Sequence, residues 1–83
     1  MSEEGAVRRA TARGRRAQAI LEDELVVEAF TAIERRAHQA WAHSLPADSE
    51  ARDLAYRDLR ALRAFRAELE AFIRDGKVAE REL

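Results

Sequence analysis

The sequence predicts an all-α protein, an antiparallel hairpin of two long helices with an Arg-rich N-terminal helical arm, which self-associates. Three observations support this fold class. The 83 residues are 47% hydrophobic and 37% charged, with one Pro and three Gly, a composition typical of long helices. Apolar residues recur at spacings of three and four over two long stretches. The single proline lies between these stretches, where it separates two helices.

Residues 1–22 are predicted to form a basic, partly helical arm. We expect residues 1–7 to be frayed and residues 8–21 to form a helix rich in Ala and Arg. Gly14 weakens such a helix by up to about 1 kcal/mol relative to alanine. Strong apolar anchors occur only at its end, at Ile20 and Leu21. The first half of this helix is therefore expected to be loosely held.

Residues 23–76 are predicted to form the helical hairpin. Its first helix runs from about Asp23, where negative charge favours a helix N-terminus, to about Ser44. It is either a separate helix or continuous with the Arg-rich segment through a bend. Trp41, near the end of this helix, is expected to cover the hairpin core above Leu45 and Tyr56. The alternative is an interface anchor, because Trp is enriched at binding hot spots. The apolar stripe of this helix has a heptad tendency and comprises Val26, Phe30, Ile33, Ala37 and Ala40, flanked by Val27 and Trp41.

The turn of the hairpin is predicted at residues 45–48. Pro46 ends the first helix, and Asp48 or Ser49 caps the second. Gly76 occupies the position expected just after a helix end, so the second helix ends at about Asp75. Residues 77–83 are then a short tail able to fold back on the core. The apolar stripe of the second helix comprises Ala55, Leu59, Leu62, Phe65, Leu69, Phe72 and Ile73.

Two helices cannot enclose a core by themselves, so each stripe leaves one flank open. The apolar fraction also relies on alanine, which buries little area, and a chain this short has a small core. We therefore expect a homo-oligomer that covers the open flank. The residues expected in the core or the oligomer contact are Val26, Phe30, Ile33, Trp41, Leu59, Leu62, Phe65, Leu69 and Phe72.

The N-terminal arm is a local positive pole on a chain of net charge −1. Three interpretations are open: a solvated helix end, a weak contact to nucleic-acid phosphates, or docking onto an acidic protein surface. No aromatic residue lies among these arginines, which argues against a stacking platform for single strands. Any nucleic-acid binding is expected to be weak for each chain and independent of sequence. The residues concerned are Arg8, Arg9, Arg13, Arg15 and Arg16.

The sequence contains no residue pattern that indicates a reaction. There is no cysteine, no Gly-rich phosphate loop, and no Ser, Thr or Tyr in a recognisable catalytic context. Glu34 and His38 are four residues apart and could share a metal ion, but an exposed pair is the expected arrangement. No apolar run approaches the roughly 20 residues of a membrane span. We therefore expect a protein that is not an enzyme, with no cofactor, no bound metal and no membrane contact.

The segment "ILEDELVVEAFTAIERRAHQAW", followed by a long second helix that closes in Gly-Lys, resembles a group of short proteins of tailed bacteriophages. The resemblance covers roughly residues 15–83, and Asp23-Glu24 stands where related chains often carry Asn-Pro. Such proteins are encoded near head and DNA-packaging genes. The residues that carry the resemblance are Ile20, Leu21, Leu25, Glu28, Ala29, Phe30, Trp41, Leu59, Leu62, Leu69, Gly76 and Lys77.

The resemblance implies a viral protein of virion assembly or DNA packaging that acts by helix-mediated protein–protein contacts. Its partners would be further copies of itself and other phage structural or packaging proteins. Its location would be the host cytoplasm during infection, or the virion. One alternative is a DNA-binding subunit similar to a small terminase, with the arginine arm on phosphates. Another is a phage inhibitor that docks on a host protein.

Overall fold

The computed structural model describes residues 3–83, and all regular secondary structure within that range is α-helical. Helix α1 spans Glu3–Glu22, α2 spans Glu24–Ala42, and α3 spans Ser49–Glu80. The predicted all-α class is confirmed. The expectation for Met1 and Ser2 lies outside the described residues.

Helices α1 and α2 are separated by Asp23 alone. The amide of Asp23 donates to the carbonyl of Ile20 at 3.2 Å, which closes the last turn of α1. The acidic Glu24 then lies in the first turn of α2, where negative charge favours a helix N-terminus. The predicted start of this helix at about Asp23 is confirmed. The expected fraying is wrong for residues 3–7, because α1 is helical from Glu3.

Helix α2 ends two residues before the predicted Ser44. The Ser44 hydroxyl donates to the carbonyl of Trp41 at 2.7 Å, and the Ser44 amide approaches the same carbonyl at 3.2 Å. These bonds satisfy a carbonyl that lacks a partner within the helix. The last turn therefore closes at Ala42, well before Pro46.

Helix α3 begins with a side-chain cap. The Asp48 carboxylate accepts a hydrogen bond from the Ala51 amide at 3.1 Å, so the predicted cap at Asp48 is confirmed. The guanidinium of Arg52 donates to the carbonyls of Leu45 and Pro46, at 2.9 and 2.8 Å. The first turn of α3 therefore also holds the loop that precedes it.

The predicted end of this helix at Gly76 is wrong. Helix α3 continues through Gly76 to Glu80, so it has 32 residues and a length of about 48 Å. No glycine within residues 3–83 has a positive φ angle, so Gly76 does not adopt the left-handed conformation of a helix stop. Most of the predicted tail is thus the last turn of α3.

The chain divides into two compact units. Unit 1 comprises residues 3–23 and Arg66–Leu83, and unit 2 comprises Glu24–Phe65. Helix α3 contributes its last part to unit 1 and its first part to unit 2.

Unit 1 contains the most extensive packing, between α1 and α3. The side of α1 that faces α3 is lined with small residues, since Thr11, Gly14 and Ala17 are its buried positions. Gly14 and Gly76 lie in direct backbone contact, because a Cβ built on either would approach the Cα of the other to 2.9 Å. The expected loose arm is therefore wrong. Its glycine weakens the helix locally but allows the closest approach to α3.

Unit 2 pairs α2 with the first part of α3 around a core of small residues. Its buried apolar residues are Ala37, Ala55 and Leu62. The rings of Phe30 and Phe65 meet edge to face, with centroids 5.9 Å apart and planes at 89°. No large side chain within residues 3–83 is fully buried.

The predicted apolar stripes are covered unevenly. Leu62 and Leu69 are buried, whereas Trp41 and Phe65 are exposed over more than half of their surface. The other residues expected in the core or the oligomer contact are half-buried, namely Val26, Phe30, Ile33, Leu59 and Phe72. Alanines and edge contacts thus provide much of the packing in this chain.

Candidate functional site

The five arginines of α1 lie on one continuous helix. Arg9, Arg13 and Arg16 are spaced by four and three residues and therefore share a side of the helix. Arg8 and Arg15 are seven residues apart and share a neighbouring side. All five side chains are exposed, so α1 presents a broad basic surface.

Two of these arginines are neutralised by glutamates of the same chain. Arg8 forms an ion pair with Glu4, one helical turn earlier, at 2.7 Å. Arg15 forms an ion pair with Glu80 near the end of α3. Both pairs are exposed, and such pairs contribute only about 0–1 kcal/mol. Their main effect here is to lower the net positive charge of α1.

Arg13 contacts an aromatic ring rather than an acid. Its guanidinium carbon lies 4.6 Å from the centroid of the Phe72 ring, within the range of a cation–π contact. Within residues 3–83, no ion pair or side-chain hydrogen bond engages Arg9 or Arg16. Arg9 and Arg16, seven residues apart, are thus the two α1 arginines that have no ion pair, side-chain hydrogen bond or ring contact within the described residues.

Trp41 does not cover a hairpin core. Trp41, Leu45 and Tyr56 are each more than half exposed, so the expected arrangement of these three side chains is wrong. The physical reason is the small contact between α2 and α3, which buries alanines and leaves the large side chains at its edges. The alternative interpretation, an interface anchor, agrees with the exposed position of Trp41.

Exposed large apolar side chains are concentrated in unit 2. The sequence pattern placed Trp41 beside the stripe of the first predicted helix and Phe65 in the stripe of the second. It did not include Leu25 or Leu54 in either stripe, although both are exposed. The signal that could have found Leu54 is its spacing of eleven residues from Phe65, which puts both side chains on one side of α3. Glu80 was missed as a partner for Arg15 because residues 77–83 were expected to form a tail.

The polar groups of the described chain form no recognisable ligand site. The buried Thr11 hydroxyl donates to the Val7 carbonyl at 2.9 Å, and no buried side-chain nitrogen or oxygen in residues 3–83 lacks a partner. His38 is exposed, and this same range holds no group of three or more His, Asp or Glu side chains suited to a metal ion. The predicted Glu34–His38 pair thus has no third ligand.

One groove of mixed polarity lies in unit 1 and has a volume of about 450 Å³. Glu22 and Glu70 line it together with Arg74 and Lys77. Because the two acids and two bases offset each other, the groove has no clear preference for an anion or a cation. It therefore defines no ligand class.

Within the described part of the chain, no helix has the length and apolar character needed to cross a membrane. Comparison with protein-family profiles, with curated protein sequences and with solved structures found no match.

Proposed function

We propose that the protein is a non-enzymatic, self-associating helical protein of phage virion assembly or DNA packaging. It acts through helix-mediated contacts with other copies of itself and with further assembly or packaging proteins. The viral setting rests on the sequence resemblance. Self-association rests on the surface and the core of the folded chain.

The observation that carries self-association is the exposed area of the chain. A single copy exposes 6653 Å². A folded monomer of 9.4 kDa exposes about 5,000 Å² by the scaling of surface with mass. The excess is about 1,600 Å², and a standard protein interface removes about 800 Å² from each partner. One such interface would thus remove about half of the excess.

The composition of the core supports the same proposal. Within residues 3–83 the buried apolar residues are four alanines and two leucines, which leaves the aromatic side chains partly or largely exposed. A small chain with so little large apolar area buried has a low free energy of unfolding when alone. We propose that α2 and the first part of α3 form a helical hairpin that gains stability by packing against another copy.

The DNA-binding alternative is less well supported by these observations. A helix-turn-helix requires two helices joined by a turn of three to four residues. Helix α1 is unbroken over Glu3–Glu22, and a single residue separates it from α2. In addition, Arg8 and Arg15 pair with glutamates of the same chain.

Sedimentation equilibrium at micromolar concentrations tests self-association. We expect a mass of at least twice 9.4 kDa that decreases on dilution. A mass of 9.4 kDa at every concentration, together with sharp cooperative unfolding, would contradict the proposal. The viral setting is tested separately by the position of the gene. A place beside the large terminase or portal gene supports assembly or packaging, and an early-gene position supports the host-inhibitor alternative.

A further inference from the structure

We infer that unit 1 contains a further contact between copies of this chain, in which the outer side of α1 of one copy docks in a groove of the next. The groove lies between α1 and the last part of α3 and has a volume of about 340 Å³. The inference rests on the proposed self-association. It adds a contact to the proposed packing of α2 and the first part of α3.

Small apolar side chains and acids form this groove, called the acidic groove below. Five of the eight residues that line it are alanine or valine. The other three are Glu3, Asp75 and Glu82, and no basic residue of the described chain lines it. None of these three carboxylates forms an ion pair within residues 3–83. The acidic groove therefore favours an occupant with positive charges and small apolar side chains.

The side of α1 that points away from α3 has this complementary character. Gly14 faces α3, because it is buried against Gly76. At 100° for each residue, four exposed positions lie within about 40° of the opposite direction. They carry no acid, and together they define the outer side of α1. The four residues are Arg9, Ala12, Arg16 and Ala19.

The charged residues on the two surfaces have matching spacings. Arg9 and Arg16 are seven residues apart, and so are Asp75 and Glu82. Glu82 follows the end of α3, but its amide donates to the Ala79 carbonyl at 3.0 Å, which continues the chain in a turn. Seven residues of helix span about 10 Å. Two ion pairs can therefore form at the same time when the outer side enters the acidic groove.

A second copy of this chain suits the acidic groove for two reasons. The first is that every copy presents an exposed, acid-free basic side whose arginines, Arg9 and Arg16, have no ion pair within the described residues. The second is that one standard interface removes only about half of the excess exposed area, so a second interface can cover the remainder. Because the two surfaces differ, the contact is head to tail, and its repetition gives a ring or a filament.

Charge reversal tests the contact from both surfaces. Arg9→Glu/Arg16→Glu reverses the outer side, and Asp75→Arg/Glu82→Arg reverses two of the three acids of the acidic groove. All four side chains are exposed, and Glu and Arg are good helix formers. Both double variants should therefore keep the wild-type helix content by circular dichroism.

The matched controls change the other groove of unit 1, the one of about 450 Å³. Arg74→Glu/Lys77→Glu gives the same change in net charge as the outer-side variant. Glu22→Arg/Glu70→Arg gives the same change as the acidic-groove variant. All four control residues are exposed and line that other groove. The controls thus separate the effect of position from the effect of net charge.

Sedimentation equilibrium at low salt provides the measurement. We expect each reversed variant to raise the dissociation constant of this contact by at least about tenfold, because two attractive pairs become repulsive. The controls should keep the wild-type mean mass. An equimolar mixture of the two reversed variants should regain the wild-type mean mass, because each variant then offers the charges that the other lacks.

Two results would overturn the inference while self-association stands. One is that the reversed variants keep the wild-type mean mass. The other is that they lose mass and the mixture does not recover it, which would mean that the two surfaces do not meet. If the wild type is itself a monomer, the proposed self-association fails, and this inference fails with it.

A measurement without substitutions covers the case in which a variant does not fold. Coupling of glycine ethyl ester by a carbodiimide labels the accessible carboxylates of the wild type. Labelling of Asp75 and Glu82 should fall several-fold as the protein associates, whereas labelling of Glu22 and Glu70 should stay constant. Constant labelling of Asp75 and Glu82 across the association range would contradict the inference.

Discussion

Replacement of Gly14 by alanine tests the closest contact between α1 and α3. A Cβ atom built on Gly14 lies 2.8 Å from the Phe72 carbonyl oxygen and 2.9 Å from the Gly76 Cα. On Gly76, a Cβ atom lies 2.9 Å from the Gly14 Cα and 3.0 Å from the Ala10 carbonyl oxygen. All of these neighbours are backbone atoms, so no side-chain rotation relieves the clash. The two helices must move apart.

The expected change in stability is the difference between two terms. Ordinary contact begins at 3.4 Å, so the backbones have to separate by about 0.6 Å at Gly14. Forcing an extra methyl group into a packed contact costs about 1–3 kcal/mol. Alanine regains about 0.5–1 kcal/mol over glycine in a helix interior. We expect Gly14→Ala to lower the free energy of unfolding by about 1–2 kcal/mol, or the melting temperature by about 5–10 °C.

The assay is urea and thermal unfolding followed by circular dichroism, at one protein concentration, because the stability of a self-associating protein depends on concentration. The matched control is Ala12→Gly, on the exposed side of α1. It changes helix propensity without touching α3 and should cost about 0.5–1 kcal/mol. The double variant Gly14→Ala/Gly76→Ala should cost less than the sum of the single changes, since the first already separates the helices.

The opposite sign at Gly14 would refute this reasoning. If Gly14→Ala raises the unfolding midpoint by about the amount that Ala12→Gly lowers it, helix propensity alone decides the outcome. The backbones of α1 and α3 then do not approach each other at this position.

Three further outcomes are expected. Leu62→Ala removes a side chain that is only 8% exposed and should lower the free energy of unfolding in urea by about 2–4 kcal/mol. Phe30→Ala, at a half-buried position, should lower it by less. A change below roughly 0.5 kcal/mol at Leu62 would mean that this residue lies on the surface. Asp48→Ala removes the side-chain cap of α3 and should lower the free energy of unfolding by about 1 kcal/mol. An unchanged free energy of unfolding would mean that another group caps the helix. Duplex DNA binding, measured by anisotropy, should be weak with a log–log salt slope of magnitude about 2, and changing both Arg9 and Arg16 to Gln should abolish it. A slope of about 4 to 5 would mean that all five α1 arginines reach phosphates.

Features set by local chemistry could be predicted from the sequence. Asp23 and Glu24 indicate the start of α2, and Pro46 with the Asp48 cap indicates the start of α3. These signals act within a few residues of where they occur, so no knowledge of the distant chain is needed. The periodic apolar stripes likewise indicate helices whatever packs against them.

Features set by packing between distant segments could not be predicted in the same way. A glycine near the end of an apolar stripe suits a helix stop, but it also suits a close helix crossing, and only the position of Gly14 opposite Gly76 distinguishes them. The packed side of α1 consists of Thr11, Gly14 and Ala17, which give no strong apolar signal. The spacing of three residues between these small side chains was the available clue.

The exposed apolar side chains of unit 2 could likewise be predicted only in part. The stripe pattern indicated that the chain carries more apolar surface than two helices can cover, and Trp41 and Phe65 were among the residues chosen from it. Which edge stays exposed depends on how closely the helices approach. Because the residues buried in unit 2 are two alanines and Leu62, most of the larger apolar side chains of this unit stay partly or largely exposed.

Trp41 offers the most direct test of the proposed self-association through α2 and the first part of α3. It is the only tryptophan in the chain, so its fluorescence reports one position without any substitution. In a single copy it is 58% exposed, and in the proposed dimer it is covered by the other chain. We expect acrylamide to quench Trp41 clearly less at high protein concentration than in the urea-unfolded chain, with quenching increasing on dilution. Trp41 quenching that does not change with protein concentration, while sedimentation shows association over the same range, would contradict the account.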